Sequence, residues 1–167
     1  MKCEYCELRK SEILYEDSEV AVIIKDTAVT PGQITVLPKE HFTILEMVPN
    51  KIMEKCFLIA NKVSIAIFES LGAQGTNLVM QNGLSAGQKV PHFSIEIIPR
   101  REEDGLNLQW TPQQLMEDEL EALFAQLKDA KISLEEKNEI NLDDGQTEAV
   151  LEDDKDNYLL KSIRRIP

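Results

Sequence analysis

The feature that most constrains this chain is a single long amphipathic stretch behind Pro49. Met53, Cys56, Ile59, Ala60, Val63, Ala66 and Ile67 recur there at helical spacing. Asn50 follows Pro49 as an N-cap, and Gly72 supplies a stop. A helix with one apolar stripe needs an apolar surface to lie on, and the segments around this one read as strands. Residues 13–16 and 20–25 are two apolar runs separated by Asp17-Ser18, a turn signal. Thr30-Pro31-Gly32 turns the chain again, and residues 33–37 form a third strand that Pro38 ends. Residues 77–81 and 92–98 supply two more, joined through Asn82-Gly83 and a glycine-containing loop over 83–91. Strands before and after one long helix predict an α+β fold with a mainly antiparallel sheet. No internal repeat is present.

Further on, Thr111-Pro112-Gln113-Gln114 reads as a helix start, with Thr as cap, Pro at the first position and Gln at the capping-box position. That helix is expected to run to about residue 130, with Leu115, Leu120, Leu123, Phe124 and Leu127 as its apolar face. An acidic connector over 131–147 and a last short helix ending near Ile163 complete the reading.

Charge separates these two parts. The chain has 167 residues, 30 acidic and 18 basic, for a net charge of -12. Residues 1–100 hold 12 acidic and 10 basic side chains, whereas residues 101–167 hold 18 and 8. The division implies a nearly neutral domain over 1–110 and an acidic helical extension over 111–167. This acidity argues against generic binding of nucleic-acid backbones, which needs a basic footprint. No apolar run approaches the roughly 18 residues that span a bilayer. No apolar stretch follows Met1-Lys2-Cys3-Glu4, so a signal peptide and membrane association are not expected. The expected location is the cytoplasm, where thiols stay reduced.

Successive strand residues face opposite ways. In 92–97, Phe93, Ile95 and Ile97 share an inward face, and His92, Ser94 and Glu96 share the other. Such a polar row is ordinarily the solvated face of a half-buried strand. Here it follows Gly83-Leu84-Ser85-Ala86-Gly87-Gln88, whose glycines let backbone N–H groups approach a phosphate. Near the N-terminus, Cys3-x-x-Cys6 has the spacing that lets two thiolates take adjacent corners of a tetrahedron, although a redox pair or two free thiols would read the same. Cys56 lies on the apolar stripe and reads as core. The chain has only two histidines, His41 and His92.

Several blocks in order resemble the histidine triad (HIT) family of nucleotide hydrolases and transferases. They are Cys3-x-x-Cys6, the run from Ile13 to Val20, Asp26, the run from Thr30 to His41, and Met80-Gln81-Asn82-Gly83 through His92 to Arg100. The family motif is His-φ-His-φ-His-φ-φ, with φ apolar, and this chain has His92-Phe93-Ser94-Ile95-Glu96-Ile97-Ile98. The second histidine, the family's nucleophile toward the nucleotide α-phosphate, is Ser94, and the third is Glu96. A further histidine that often follows Pro-Gly is Gln33.

A neutral imidazole attacks phosphate at pH 7, but a serine hydroxyl needs a base to take its proton. A Ser94–Glu96 dyad is the one replacement on offer, and a carboxylate is a weak base whose charge repels phosphate. The resemblance implies a nucleotide pocket in which Asp26 accepts from the ribose, Ile24 lines the base, and Gln81, Gly87, Gln88, Lys89 and Ser94 face the phosphate. Turn satisfaction would equally account for Gln81 and Gln88, and a turn cap for Asp26. The resemblance also implies a structural zinc held by Cys3, Cys6, His41 and His92, and a homodimer. The expectation is a zinc-stabilised protein that binds a purine nucleotide or nucleotide conjugate with little or no hydrolysis. The competing expectations are an active hydrolase or nucleotidyltransferase using a non-standard nucleophile, whether Ser94, Glu96 or a residue not placed, and a non-nucleotide protein-interaction module carried by the acidic C-terminal region.

Overall fold

A computed structural model describes residues 3–107 and 110–129. The chain divides into two compact units, Met1–Gln109 and Trp110–Pro167. The first unit holds five strands and one long helix: β1 (Ile13–Glu16), β2 (Val20–Ile24), β3 (Ile34–Pro38), α1 (Asn50–Leu71), β4 (Gly75–Val79) and β5 (Ile95–Arg100). The sheet order is β1-β2-β3-β5-β4 and every neighbouring pair is antiparallel, the α+β architecture expected. Short 3-10 turns lie at Glu4–Cys6, Lys10–Glu12, Leu45–Met47 and Leu84–Ala86.

The β1–β2 hairpin closes on Asp17, whose carboxylate accepts from the backbone N–H of Glu19 at 2.8 Å and of Val20 at 2.9 Å. Lys55 of α1 reaches the same carboxylate at 3.0 Å and so ties the hairpin to the helix. These groups hold the Asp17 carboxyl well below the usual carboxylate range, the two backbone donors first. At the other end of α1, Gly72 takes φ 60°, the left-handed cap a side chain would strain.

The sheet is covered on both faces. On one, Cys56, Ala60 and Ile67 of α1 pack against Val20, Val22, Val36, Ile95 and Ile97. On the other, Ala21, Ile23 and Leu37 pack against Cys3, Tyr5, Leu8 and Val90. This double burial explains why β2 reads Val-Ala-Val-Ile-Ile, a continuous apolar run with little alternation.

Four starts differ from the sequence reading, the first being β3, which begins at Ile34, not at residue 33, and takes in Pro38. β5 begins at Ile95, not at residue 92, because its pairing with β3 ends at Val36↔Ile95. His92 and Ser94 therefore precede the strand, and the Phe93 N–H goes to the carbonyl of Phe42 at 2.6 Å. β4 spans Gly75–Val79, which leaves Gln81 beyond it, and α1 takes Pro49 in its cap position with Asn50 as its first residue.

In the second unit, α2 covers Glu117–Asp129, not a helix from Thr111. Glu119 accepts from the Met116 N–H at 3.2 Å, and Glu117, Asp118 and Glu119 fill the first turn. Three carboxylates at a positive helix end outweigh one proline at the expected start. Leu120, Leu123, Phe124 and Leu127 are all exposed. The connector over 131–147 and the last helix near Ile163 lie outside the described residues.

Candidate functional site

The covered face opposite α1 carries the site. Cys3 and Cys6 bracket a 3-10 turn, closed by the Cys6 N–H on the Cys3 carbonyl at 3.1 Å. That turn sets both thiols beside His92, which precedes β5, and His41, which follows β3. Cys3 Sγ lies 3.5 Å from His92 Nδ1, and Cys6 Sγ lies 3.6 Å from His92 Nδ1 and 3.3 Å from His41 Nδ1. All four ligand atoms fall within 4.8 Å of one another.

Tetrahedral bonds of about 2.3 Å to sulfur and about 2.0 Å to nitrogen require an S···N edge of roughly 3.5 Å. The three S···N distances match that edge, so the four side chains fit a zinc-sized ion, although S–H···N hydrogen bonds have similar lengths. The imidazoles are set up for ligation by their other nitrogens. His92 Nε2 donates to the Pro38 carbonyl at 2.9 Å, which leaves Nδ1 as the lone-pair atom facing the sulfurs. His41 Nε2 lies 3.4 Å from Thr43 Oγ1. Burial holds the His92 imidazole below the usual histidine range, against the opposing pull of the Pro38 carbonyl and with help from His41. It is thus neutral at pH 7, the form that binds a metal. No open corner remains in a Cys₂His₂ set, so an ion held there would act structurally, not hydrolytically.

Glu96 is the second centre. Its Oε2 accepts from Thr35 Oγ1 at 2.7 Å and from Gln33 Nε2 at 2.8 Å. Its Oε1 accepts from Tyr5 Oη at 3.3 Å and from Ser94 Oγ at 3.4 Å. Thr35 meets it because β3 and β5 set Thr35 directly opposite Glu96. Tyr5 meets it because the Cys3–Cys6 turn presses that ring into the second core, edge-on to His92 with ring centroids 5.8 Å apart. A carboxylate has about four acceptor sites, and four donors occupy them. The Ser94–Glu96 contact is longer than a normal O–H···O bond of about 2.5–3.0 Å.

The glycine loop folds on itself. Gln88 Oε1 accepts from the Gly83 N–H at 2.8 Å, while Nε2 donates to the carbonyls of Thr43 at 2.7 Å and Val90 at 3.0 Å. Its amide is thus engaged in holding the loop. Gly87 has φ 86° and packs so close to Gln81 that an added Cβ would lie 2.8 Å from Gln81 Nε2. Lys89 is exposed, as is Ile24 at the end of β2. Asp26 is exposed as well, 3.7 Å from the Arg9 guanidinium, with Thr27 Oγ1 on its other oxygen at 3.4 Å.

Among the residues singled out from the sequence, the structure joins the four metal candidates, Ser94 with Glu96, and Gln81 with Gly87. Tyr5 and Thr35 escaped sequence reasoning as partners of Glu96. A polar Thr35 inside an apolar strand was the available signal.

The family model described as HIT domain matches residues 8–103. The adenylylsulfatase HINT3 of Arabidopsis thaliana is 32% identical over 108 residues, 62% of this chain and 55% of that protein. The matched stretch thus spans about half the length of this relative. The crystal structure of a HIT family protein from Bacillus subtilis is similar at a TM-score of 0.70 and 26% identity, covering 77% of this chain and 96% of that one. A zinc-bound histidine triad family protein from Mycobacterium smegmatis is similar at a TM-score of 0.54 and 29% identity, covering 71% of this chain and 87% of that one.

Proposed function

Since this chain belongs to the HIT family, we propose that it is a zinc-stabilised protein that binds a purine nucleotide or nucleotide conjugate and turns it over slowly or not at all. The observation that carries the reading is the state of Glu96. The residue at the nucleophile position is Ser94, and the carboxylate that touches it already accepts from Tyr5, Gln33 and Thr35. Three other donors share the charge of this carboxylate, and its Ser94 contact, at 3.4 Å, is long for a proton transfer. The nucleotide pocket is proposed to be formed by Ile24, Asp26, Gln81, Gly87, Lys89 and Ser94, with Gln88 bracing the loop. Cys3, Cys6, His41 and His92 would hold the zinc, which supplies cross-linking of the N-terminal turn to the sheet. The S···N edges and the similarity to a zinc-bound relative support this.

The protein is further proposed to be a cytoplasmic homodimer. β4 is an edge strand with Leu78 45% exposed, and Met80 just beyond it is 40% exposed, the kind of edge that another strand covers. Among the described residues no helix is long and apolar enough to cross a membrane. The acidic region over 111–167 is proposed as an extension of the domain over 1–110.

A slow hydrolase or nucleotidyltransferase is the second reading. The Ser94–Glu96 contact favours it, as does the relative named as an adenylylsulfatase. One experiment separates the two. Purified wild type is analysed for metal, titrated calorimetrically with AMP and GMP, and assayed on a nucleoside phosphoramidate and a dinucleotide. Near one zinc per chain, saturable nucleotide binding and negligible hydrolysis are expected. Hydrolysis lost on Ser94→Ala would establish the enzyme instead. Ser94→His alone leaves Glu96 on Gln33, so regain of activity is expected only when Gln33→His, Ser94→His and Glu96→His are combined.

A further inference from the structure

We infer that Glu96 sets the ligand class of this pocket: an uncharged nucleoside, or a conjugate joined through an uncharged 5′ linkage, is preferred over a nucleoside 5′-phosphate. The inference rests on the reading that a ligand's 5′ end meets Ser94. Ser94 Oγ is 3.4 Å from Glu96 Oε1, and a group hydrogen-bonded to that hydroxyl at about 2.8 Å lies within roughly 6 Å of the carboxylate. At such a distance, like charges near a protein surface lower affinity by about tenfold to a hundredfold.

Among the described residues no cationic side chain is paired with the carboxylate, and Lys89 of the loop is exposed. Its four partners, Tyr5, Gln33, Thr35 and Ser94, are uncharged donors. They arrive from the N-terminal turn, from the residue before β3 and the second residue of β3, and from the residue before β5, so they fix its position from several sides. Lys25 approaches the Tyr5 ring at 4.7 Å, yet its ammonium is held by Glu4 at 2.6 Å. Arg9 on the same side is bound to Glu12. The Gln88 amide, whose N–H donors would otherwise suit a phosphate, is engaged with backbone carbonyls. A sugar hydroxyl or a neutral amide, in contrast, meets the Ser94 hydroxyl without facing a like charge.

The test uses the full-length, metal-replete protein and two probes, adenosine and AMP, measured by calorimetry. At 0.1 M salt, adenosine is expected to bind wild type at least about tenfold more tightly than AMP. Glu96→Gln should raise AMP affinity by about tenfold or more and leave adenosine within about threefold. If that variant does not fold, a salt series on wild type tests the same point. Screening shortens from about 10 Å at 0.1 M to about 3 Å at 1 M, so the gap must narrow. AMP binding as tightly as adenosine, equal effects of Glu96→Gln on both probes, or a gap indifferent to salt each overturn the inference while leaving a nucleotide pocket intact. Failure of both probes to bind wild type overturns the pocket reading, and the inference with it.

Discussion

The two faces of the sheet are built on different principles. On the α1 face, Val22, Val36, Ile95 and Ile97 meet Cys56, Ala60 and Ile67, and the stabilisation comes from hydrocarbon burial spread over many side chains. On the opposite face the cover is a short N-terminal turn, and beside its small apolar cluster lie two thiols, two imidazoles and one carboxylate with four donors. The first face stands by itself. The second depends on cross-links between residues far apart in sequence, since Cys3 and His92 are 89 positions apart. A thin cover pinned at a few points leaves room for a site, whereas a thick apolar core does not.

Three measurements break or sharpen this comparison. The largest effect is expected on the α1 face. Ile97 is fully buried, and Ile97→Ala should lower the unfolding free energy by about 2–5 kcal/mol in urea titration, with metal content unchanged in the folded protein. A loss of metal at equal or smaller destabilisation would show that the two faces are not separable. Next, stripping the metal with a chelator should speed amide exchange over residues 3–8 and 41–43 and leave α1 protected. Loss of protection throughout α1 would make the ion a condition of the whole fold, as in small zinc modules.

The smallest effect concerns the hairpin that Lys55 ties to α1. Asp17→Ala should cost about 1 kcal/mol near pH 6, by removing two backbone hydrogen bonds. Because the folded carboxyl sits below its unfolded value, this contribution is complete above the unfolded value near 4 and is lost as pH falls through the folded one. The gap between wild type and Asp17→Ala should therefore close on acidification. A gap that stays constant to about pH 2 would assign it to packing.

Periodicity and apolar runs made α1, β2 and β3 legible, because burial against one surface imposes a spacing that a sequence displays. Ends were less legible. β5 starts where its pairing with β3 begins, at Ile95 opposite Val36, a partner remote in sequence; α2 starts at three consecutive carboxylates, a local signal that the Thr111-Pro112 cap pattern upstream of it masks. The Cys3–Cys6 spacing was visible in the sequence itself, and the resemblance to the HIT family supplied His41 and His92 as its partners. The hub at Glu96 was not visible there, because Gln33, Thr35 and Tyr5 reach it through the β3–β5 register and the placement of the N-terminal turn. The loop glutamine Gln88 had two readings in the sequence, and its hydrogen bonds to Gly83, Thr43 and Val90 make it a brace of the loop.

The carbonyl of Pro38 has a consequence for the order in which the molecule matures. It is the last carbonyl of β3, and the His92 imidazole takes it through Nε2. Which ring nitrogen keeps its proton is therefore decided by strand assembly, before any ion arrives. A chain still lacking β3 has both thiols and both imidazoles but no fixed tautomer and no fixed ring. Capture of the proposed ion would then be a late event, and its presence would report that β3 is in place.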